Sequence, residues 1–323
     1  MALPESVEIY EVGPREGFQI EDEPVPTERK VAFVDALSEA GFRSIEVTSF
    51  VHPRWVPQMA DAEEVMARIR RKPGVAYRGL FLNARGLERA LAAGATVDGV
   101  LMLTASDTFS RRNTNRGIEE TFAALPDWIR AYQAHGLAVD EVDVMAAFGC
   151  NFEGHVPLER VLGLIGRAER LLDEHGERLR RIKLADTMGW ANPEQMRRTV
   201  AAIRERWPGV RLALHLHDTR GLGLANAYAA LLEGVREFEA AVGGLGGCPF
   251  AAVKGAAGNL VTEDFAFLCE EMGVATGLDL ERLVELSRLA EEVVGHPLPA
   301  HLPRGGLFRE VRRGTWAALA GEP

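Results

Sequence analysis

Cysteine is scarce in this chain: Cys150, Cys248 and Cys269 are the three present, and no two form a CxxC pair. An odd, unpatterned set excludes a disulfide framework and fits a reducing compartment. Long apolar runs are missing too. No stretch approaches the roughly 18 uninterrupted apolar residues that a membrane span needs. The first ten residues contain acids and no apolar core, so no signal peptide is expected, and the terminal Gly-Glu-Pro is not a peroxisomal tail. A cytoplasmic location is the expectation. Positive charge is in deficit, 37 Lys and Arg against 47 Asp and Glu, and the basic residues are scattered. That excludes the basic stripe a nucleic-acid binder displays. Linkers of the Ser/Pro/Gly kind and low-complexity segments are absent. The dinucleotide signature GxGxxG is missing as well, because the sequence after the first strand-like run reads Gly13-Pro14-Arg15-Glu16-Gly17.

What the chain has in quantity is apolar content, 47% of 323 residues, enough to bury a large core. Short β-rich runs recur at 7–12, 44–50, 76–82, 99–104, 141–147, 182–185, 211–217 and 239–243. Amphipathic helical patterns lie between them, at 27–40, 61–69, 118–135, 157–175, 193–207 and 222–234. Asn192-Pro193 marks one helix start, and Gly136 and Gly176 follow helix ends. Strands alternating with helices imply βαβ units and a parallel sheet. Eight units in about 240 residues favour a closed (β/α)8 TIM barrel over an open sheet. A helix at 263–272 and an Arg-rich helical extension from Leu278 follow. The expected organisation is one domain, with a barrel over about 7–275 and a C-terminal helical extension over 276–323.

Chemistry in such a barrel sits at the C-terminal ends of the strands. Ionisable residues collect at those ends: Glu11, Arg15 and Glu16 after the first run, Glu46 in the second, Asp186 at the sixth, and His215, His217 and Asp218 at the seventh. Strand side chains alternate faces, so His215 and His217 point the same way. On the inner face, their imidazoles would converge at metal-ligand spacing; a buried, hydrogen-bonded histidine pair would show the same pattern. With a carboxylate on the first strand and a late amide, mixed N and O ligation suits Mg²⁺ or Mn²⁺ and does not resemble structural zinc. The eighth run leads into Gly243-Gly244-Leu245-Gly246-Gly247-Cys248-Pro249-Phe250. So many glycines let backbone approach a ligand, and Cys248 within them is a candidate catalytic thiol. Cys150 and Cys269 have no such context and are expected to be structural. Lys183, on the sixth run, raises a Schiff-base alternative. Asp186 lies nearer the strand end and has the opposite parity, so if Asp186 faces the site, Lys183 faces the helices or lies deeper.

Five segments, 11–19, 45–58, 215–218, 244–251 and 258–264, resemble in order the 3-hydroxy-3-methylglutaryl-CoA lyase family of the DRE-TIM metallolyases. The resemblance covers about 7–302. It implies a TIM barrel, one divalent metal ion, an acyl-CoA substrate, and a homodimer or higher homo-oligomer. It further implies His215, His217, Asn259 and Glu16 as metal ligands, Arg15 as the cation that stabilises developing negative charge, and Glu46 as the residue that orients either Arg15 or the groups around the metal. By the same resemblance His215 and Cys248 take part in proton transfer, and Asp186 and Glu263 support the site. Two departures stand out. The family has Asp where this chain has Glu16, one methylene longer, and the segment from Cys248 to Asn259 is about two residues longer than the family pattern. The resemblance implies cleavage of 3-hydroxy-3-methylglutaryl-CoA to acetyl-CoA and acetoacetate. A related acyl-CoA such as citramalyl-CoA, a Claisen-type condensing synthase, and a metal- or CoA-binding pseudoenzyme are the alternatives. Asn113 and Arg111 lie at the correct end for CoA. Arg304, Arg309, Arg312 and Arg313 either cover a CoA phosphate or form a solvated helix face.

Overall fold

The computed structural model describes residues 3–247 and 258–308; Cys248 and the arginines at 309, 312 and 313 lie outside the described residues. Eight parallel strands form the barrel: β1 (Glu8–Glu11), β2 (Ser44–Ser49), β3 (Ala76–Leu80), β4 (Gly99–Thr104), β5 (Val139–Met145), β8 (Arg181–Asp186), β9 (Arg211–Leu216) and β10 (Glu237–Ala240). A small antiparallel pair, β6 (Gly149–Cys150) and β7 (Gly154–His155), sits after β5. The hydrogen-bonded order is β3-β2-β1-β10-β9-β8-β5-β4. Its two ends meet at the bridge Arg78–Thr96, where Thr96 N donates to Tyr77 O at 2.7 Å. This is the expected (β/α)8 order, with a thin seam between β3 and β4.

The apolar core lies between strands and helices. Helix α1 (Gly13–Gln19) carries Phe18 into it, and Phe18 meets Phe33 of α2 (Thr27–Ser38) at 5.5 Å between centroids. Then come α3 (Ala62–Arg68), α4 (Ala84–Ala92), α5 (Asp107–Thr114), α6 (Ile118–Ala134), α7 (Leu158–Glu174), α8 (Pro193–Arg206), α9 (Gly223–Leu232), α10 (Thr262–Glu271), α11 (Leu280–Val294) and α12 (Leu302–Gly305). Helix α11 packs on α2 and on the 3-10 turn Val242–Gly244. Among the described residues, no helix is long and apolar enough to cross a membrane.

The inside of the barrel is ionic, and this explains two boundary errors. Strand β10 starts at Glu237, two residues earlier than the sequence suggests, and β8 starts at Arg181. Both residues look like solvent-facing polar positions, yet Arg181 Nε donates to Glu237 Oε2 at 2.7 Å inside the barrel. The expected strand at 239–243 also ends early, because residues 242–244 turn into a 3-10 helix with Gly243 at φ 71°.

Candidate metal centre and active site

The motif after β1 forms helix α1. Pro14 occupies its first turn, where no amide hydrogen is needed. Gly17 lies close against Leu245: a Cβ there would stand 2.7 Å from the Leu245 Cβ. Helix α1 therefore places Arg15 and Glu16 at the mouth. Arg15 Nε donates to Glu46 Oε2 of β2 at 2.6 Å, and Arg15 Nη2 lies 2.8 Å from Glu16 Oε1.

At the end of β9 the alternation continues one residue past Leu216, to His217. The Nε2 atoms of His215 and His217 are 2.9 Å apart, and Glu16 Oε2 is 3.6 Å from each. The fourth group arrives from the chain after the glycine-rich segment. His217 and Asn259 form an antiparallel bridge, and Leu260 N donates to Leu216 O at 2.8 Å, so Asn259 is placed by backbone pairing against the end of β9. Asn259 Nδ2 donates to Glu16 Oε2 and to Leu245 O, both at 2.8 Å. Its Oδ1 is buried without a partner, as is His217 Nδ1.

These residues fit a divalent ion. Two cis ligands at about 2.1 Å from one octahedral ion stand about 3.0 Å apart, which matches the imidazole spacing. An unpartnered amide oxygen beside them is a hard donor, and burying it without a partner costs free energy. Burial pushes the Glu16 carboxyl up, but Arg15, His215 and His217 outweigh burial and hold it well below the usual carboxylate range. The candidate donor set is thus a charged oxygen, two imidazoles and one amide oxygen, with no sulfur among the described residues that form it.

The structure adds a residue that motif reading did not single out. Glu239 on β10 accepts from His215 Nδ1 at 2.9 Å and from Lys183 Nζ at 2.7 Å. Lys183 also lies 2.8 Å from Asp143 Oδ2. It therefore faces the barrel interior, below the mouth. Burial works against its charge, but Asp143 and Glu239 raise its pKa. An ammonium held this way is no Schiff-base nucleophile. Asp186 has the opposite parity; it accepts from Trp190 N at 2.7 Å and Ala191 N at 3.0 Å and holds the loop after β8.

Two more buried carboxylates hold backbone. Both oxygens of Glu263 accept from Gly243 N at 3.0 Å. Glu11, noted at the end of the first run but given no role there, accepts from Gly13 N and Val242 N at 3.0 Å and from Thr262 Oγ1 at 2.9 Å. It joins the start of α1 to the end of β10.

The other expectations fall out as follows. Arg111 is held between Asp107 at 2.8 Å and Glu120 at 2.7 Å, while Asn113 is exposed on α5. Arg304 donates to Leu298 O at 2.7 Å and Ala300 O at 3.0 Å, closing its own turn. Cys150 is buried and donates to Ser106 Oγ at 3.1 Å. Cys269 is buried, and burial pushes its thiol up to about 12.

Comparison with known proteins agrees with this geometry. The HMGL-like family matches residues 6–290. The chain is 40% identical over 300 residues to the hydroxymethylglutaryl-CoA lyase YngG of Bacillus subtilis, covering 93% of this chain and 97% of that protein. It is 40% identical to the 3-hydroxy-3-isohexenylglutaryl-CoA/hydroxy-methylglutaryl-CoA lyase of Pseudomonas aeruginosa, covering 91% and 95%. A solved HMG-CoA lyase from Acinetobacter baumannii, in complex with coenzyme A and 3-methylmalate, superposes with a TM-score of 0.85 at 40% identity, covering 95% of this chain and 97% of that one.

Proposed function

Since the chain belongs to the HMGL-like family, we propose that it is a divalent-metal-dependent carbon–carbon lyase that cleaves 3-hydroxy-3-methylglutaryl-CoA to acetyl-CoA and acetoacetate. The observation that carries this reading is the convergence of Glu16, His215, His217 and the unpartnered Asn259 Oδ1 beside a fixed guanidinium at the barrel mouth.

The reaction breaks the bond between C2 and C3. The C3 hydroxyl gives up its proton, C3 becomes a ketone, and the bonding pair passes into the thioester as an enolate. C2 then takes a proton to give acetyl-CoA. Glu16, His215, His217 and Asn259 would hold a divalent ion, Mg²⁺ or Mn²⁺, which would supply Lewis acidity at the mouth. Arg15 provides positive charge for the developing enolate oxygen, and the ion pair with Glu46 fixes its plane before substrate arrives. The hydroxyl proton passes to Glu16, whose Oε1 lies 2.8 Å from Arg15 Nη2. Return of a proton to C2 is assigned to Cys248 on its sequence motif alone.

The acyl-CoA class is supported by the relatives' substrates and by the coenzyme A bound in the Acinetobacter enzyme. The Pseudomonas relative's name includes a longer branched acyl group, which keeps a larger C3 substituent as a second reading for this chain. The test is product analysis with 3-hydroxy-3-methylglutaryl-CoA, Mn²⁺ or EDTA, and Arg15→Met alongside. Acetyl-CoA and acetoacetate in equal amounts, lost with EDTA and cut by at least about 10²-fold in Arg15→Met, is the expected result. Product formation unaffected by EDTA would sink the reading.

A further inference from the structure

We propose that Glu239, held from behind by Lys183, is the positioning residue that fixes His215 with its proton on Nδ1, so that Nε2 offers a lone pair to the divalent ion. This rests on the metal-centre reading above and deepens it.

Three observations carry the inference. Glu239 uses its two oxygens on different partners: Oε2 on His215 Nδ1 at 2.9 Å and Oε1 on Lys183 Nζ at 2.7 Å. A carboxylate facing an ammonium is an acceptor only, so the imidazole nitrogen it touches must donate, and the neutral ring then has an open Nε2. That Nε2 is the atom aimed at His217 Nε2 and Glu16 Oε2.

Lys183 reaches Glu239 across an intervening strand. It lies on β8 and Glu239 on β10, with β9 between them. Its register partner on β9 is Ala213, whose methyl leaves room for the lysine stem. Asp143 of β5 holds the ammonium from the other side at 2.8 Å. The strand register thus places His215 directly beside Glu239, its partner on β10. Without Lys183, the Glu239 carboxyl could turn, and the imidazole could turn with it. His217 has no such support, because its Nδ1 is buried without a partner. The two imidazoles are therefore unequal: His215 is preset and His217 is not.

The experiment measures Mn²⁺ binding by electron paramagnetic resonance of the free ion, with long-range ¹H–¹⁵N spectra of the Mg²⁺-loaded protein to locate the ring protons. Wild type should bind Mn²⁺ and show His215 protonated at Nδ1. In Glu239→Gln an amide group must face either the ammonium or the imidazole. Mn²⁺ affinity should fall roughly 10–100-fold, with the His215 ring signals shifted and the fold intact by circular dichroism. Lys183→Met should weaken binding less, and Glu239→Asp, which retains the charge but shortens the reach, should fall between. If Glu239→Gln does not fold, Glu239→Asp and Lys183→Met give the same comparison. Binding within about twofold of wild type in the folded variants, or a wild-type His215 protonated at Nε2, overturns this inference and leaves the lyase reading standing. A wild type that binds no Mn²⁺ overturns both.

Discussion

At the residue scale, the two unpartnered buried atoms at the mouth, Asn259 Oδ1 and His217 Nδ1, are unlike each other. The first is an amide oxygen that faces no donor, a group suited to a hard cation; the second is an imidazole nitrogen without a hydrogen-bond partner. His217→Ala and Asn259→Ala should each reduce Mn²⁺ affinity more than the roughly 10–100-fold typical of losing an outer partner, as measured by calorimetry. Unchanged affinity in both would remove them from the ligand set. Among the buried acids, burial pushes Glu263 up to about 7. Between its ordinary range and about 7 the folded protein keeps a proton that the unfolded chain releases, so this group's stability contribution is full in acid and is lost as pH rises through about 7. Urea titrations should therefore show Glu263→Gln gaining on wild type by about 2 kcal/mol between pH 5 and pH 8. Parallel pH curves would contradict it. Much of this was legible: the shared direction of His215 and His217 follows from strand alternation, and the pairing of Arg15 with Glu46 from the family resemblance. Glu239 was not, because its partner lies on another strand, 24 residues away, and an inward acid reads like a surface one.

At the scale of elements, α1 is where the sequence misleads most. No helix is expected over 13–19 from the helical patterns, yet Pro14 suits a first turn and Gly17 is needed for close approach to Leu245. What fastens the helix is Phe18, fully buried against Phe33. Phe18→Ala should lower unfolding free energy by about 3–5 kcal/mol. Because α1 carries Arg15 and Glu16, kcat/KM should fall in the fraction that remains folded. A variant destabilised by that amount but fully active per folded molecule would show that α1 does not need this anchor. The long amphipathic helices α6, α7 and α8 were located within a residue or two, since their apolar stripe repeats over several turns. Helices α4 and α5 are two to three turns each and give too short a period to stand out from loops.

For the whole molecule, closure of the barrel brings together candidate ligands from distant parts of the chain: Glu16 from the first βα unit, His215 and His217 at the end of β9, and Asn259 beyond β10. An ion bound by all of them joins the first barrel unit to the last. Mn²⁺ at about 100 times its dissociation constant should add about 2.7 kcal/mol to folded-state stability, seen as a rise in melting temperature that EDTA reverses and Glu16→Gln abolishes. Order of strands and helices was readable because eight units repeat; the closing seam at Arg78 and Thr96 was not, because a single backbone bridge leaves no sequence pattern.

The most direct measurement is a substrate panel: 3-hydroxy-3-methylglutaryl-CoA, a longer-branched 3-hydroxyglutaryl-CoA and citramalyl-CoA, each with Mn²⁺ and with EDTA, using wild type and Cys248→Ser. The account predicts metal-dependent release of acetyl-CoA, fastest from 3-hydroxy-3-methylglutaryl-CoA and strongly reduced in Cys248→Ser. No acetyl-CoA from any of the three, in a folded protein shown to hold Mn²⁺, would contradict it.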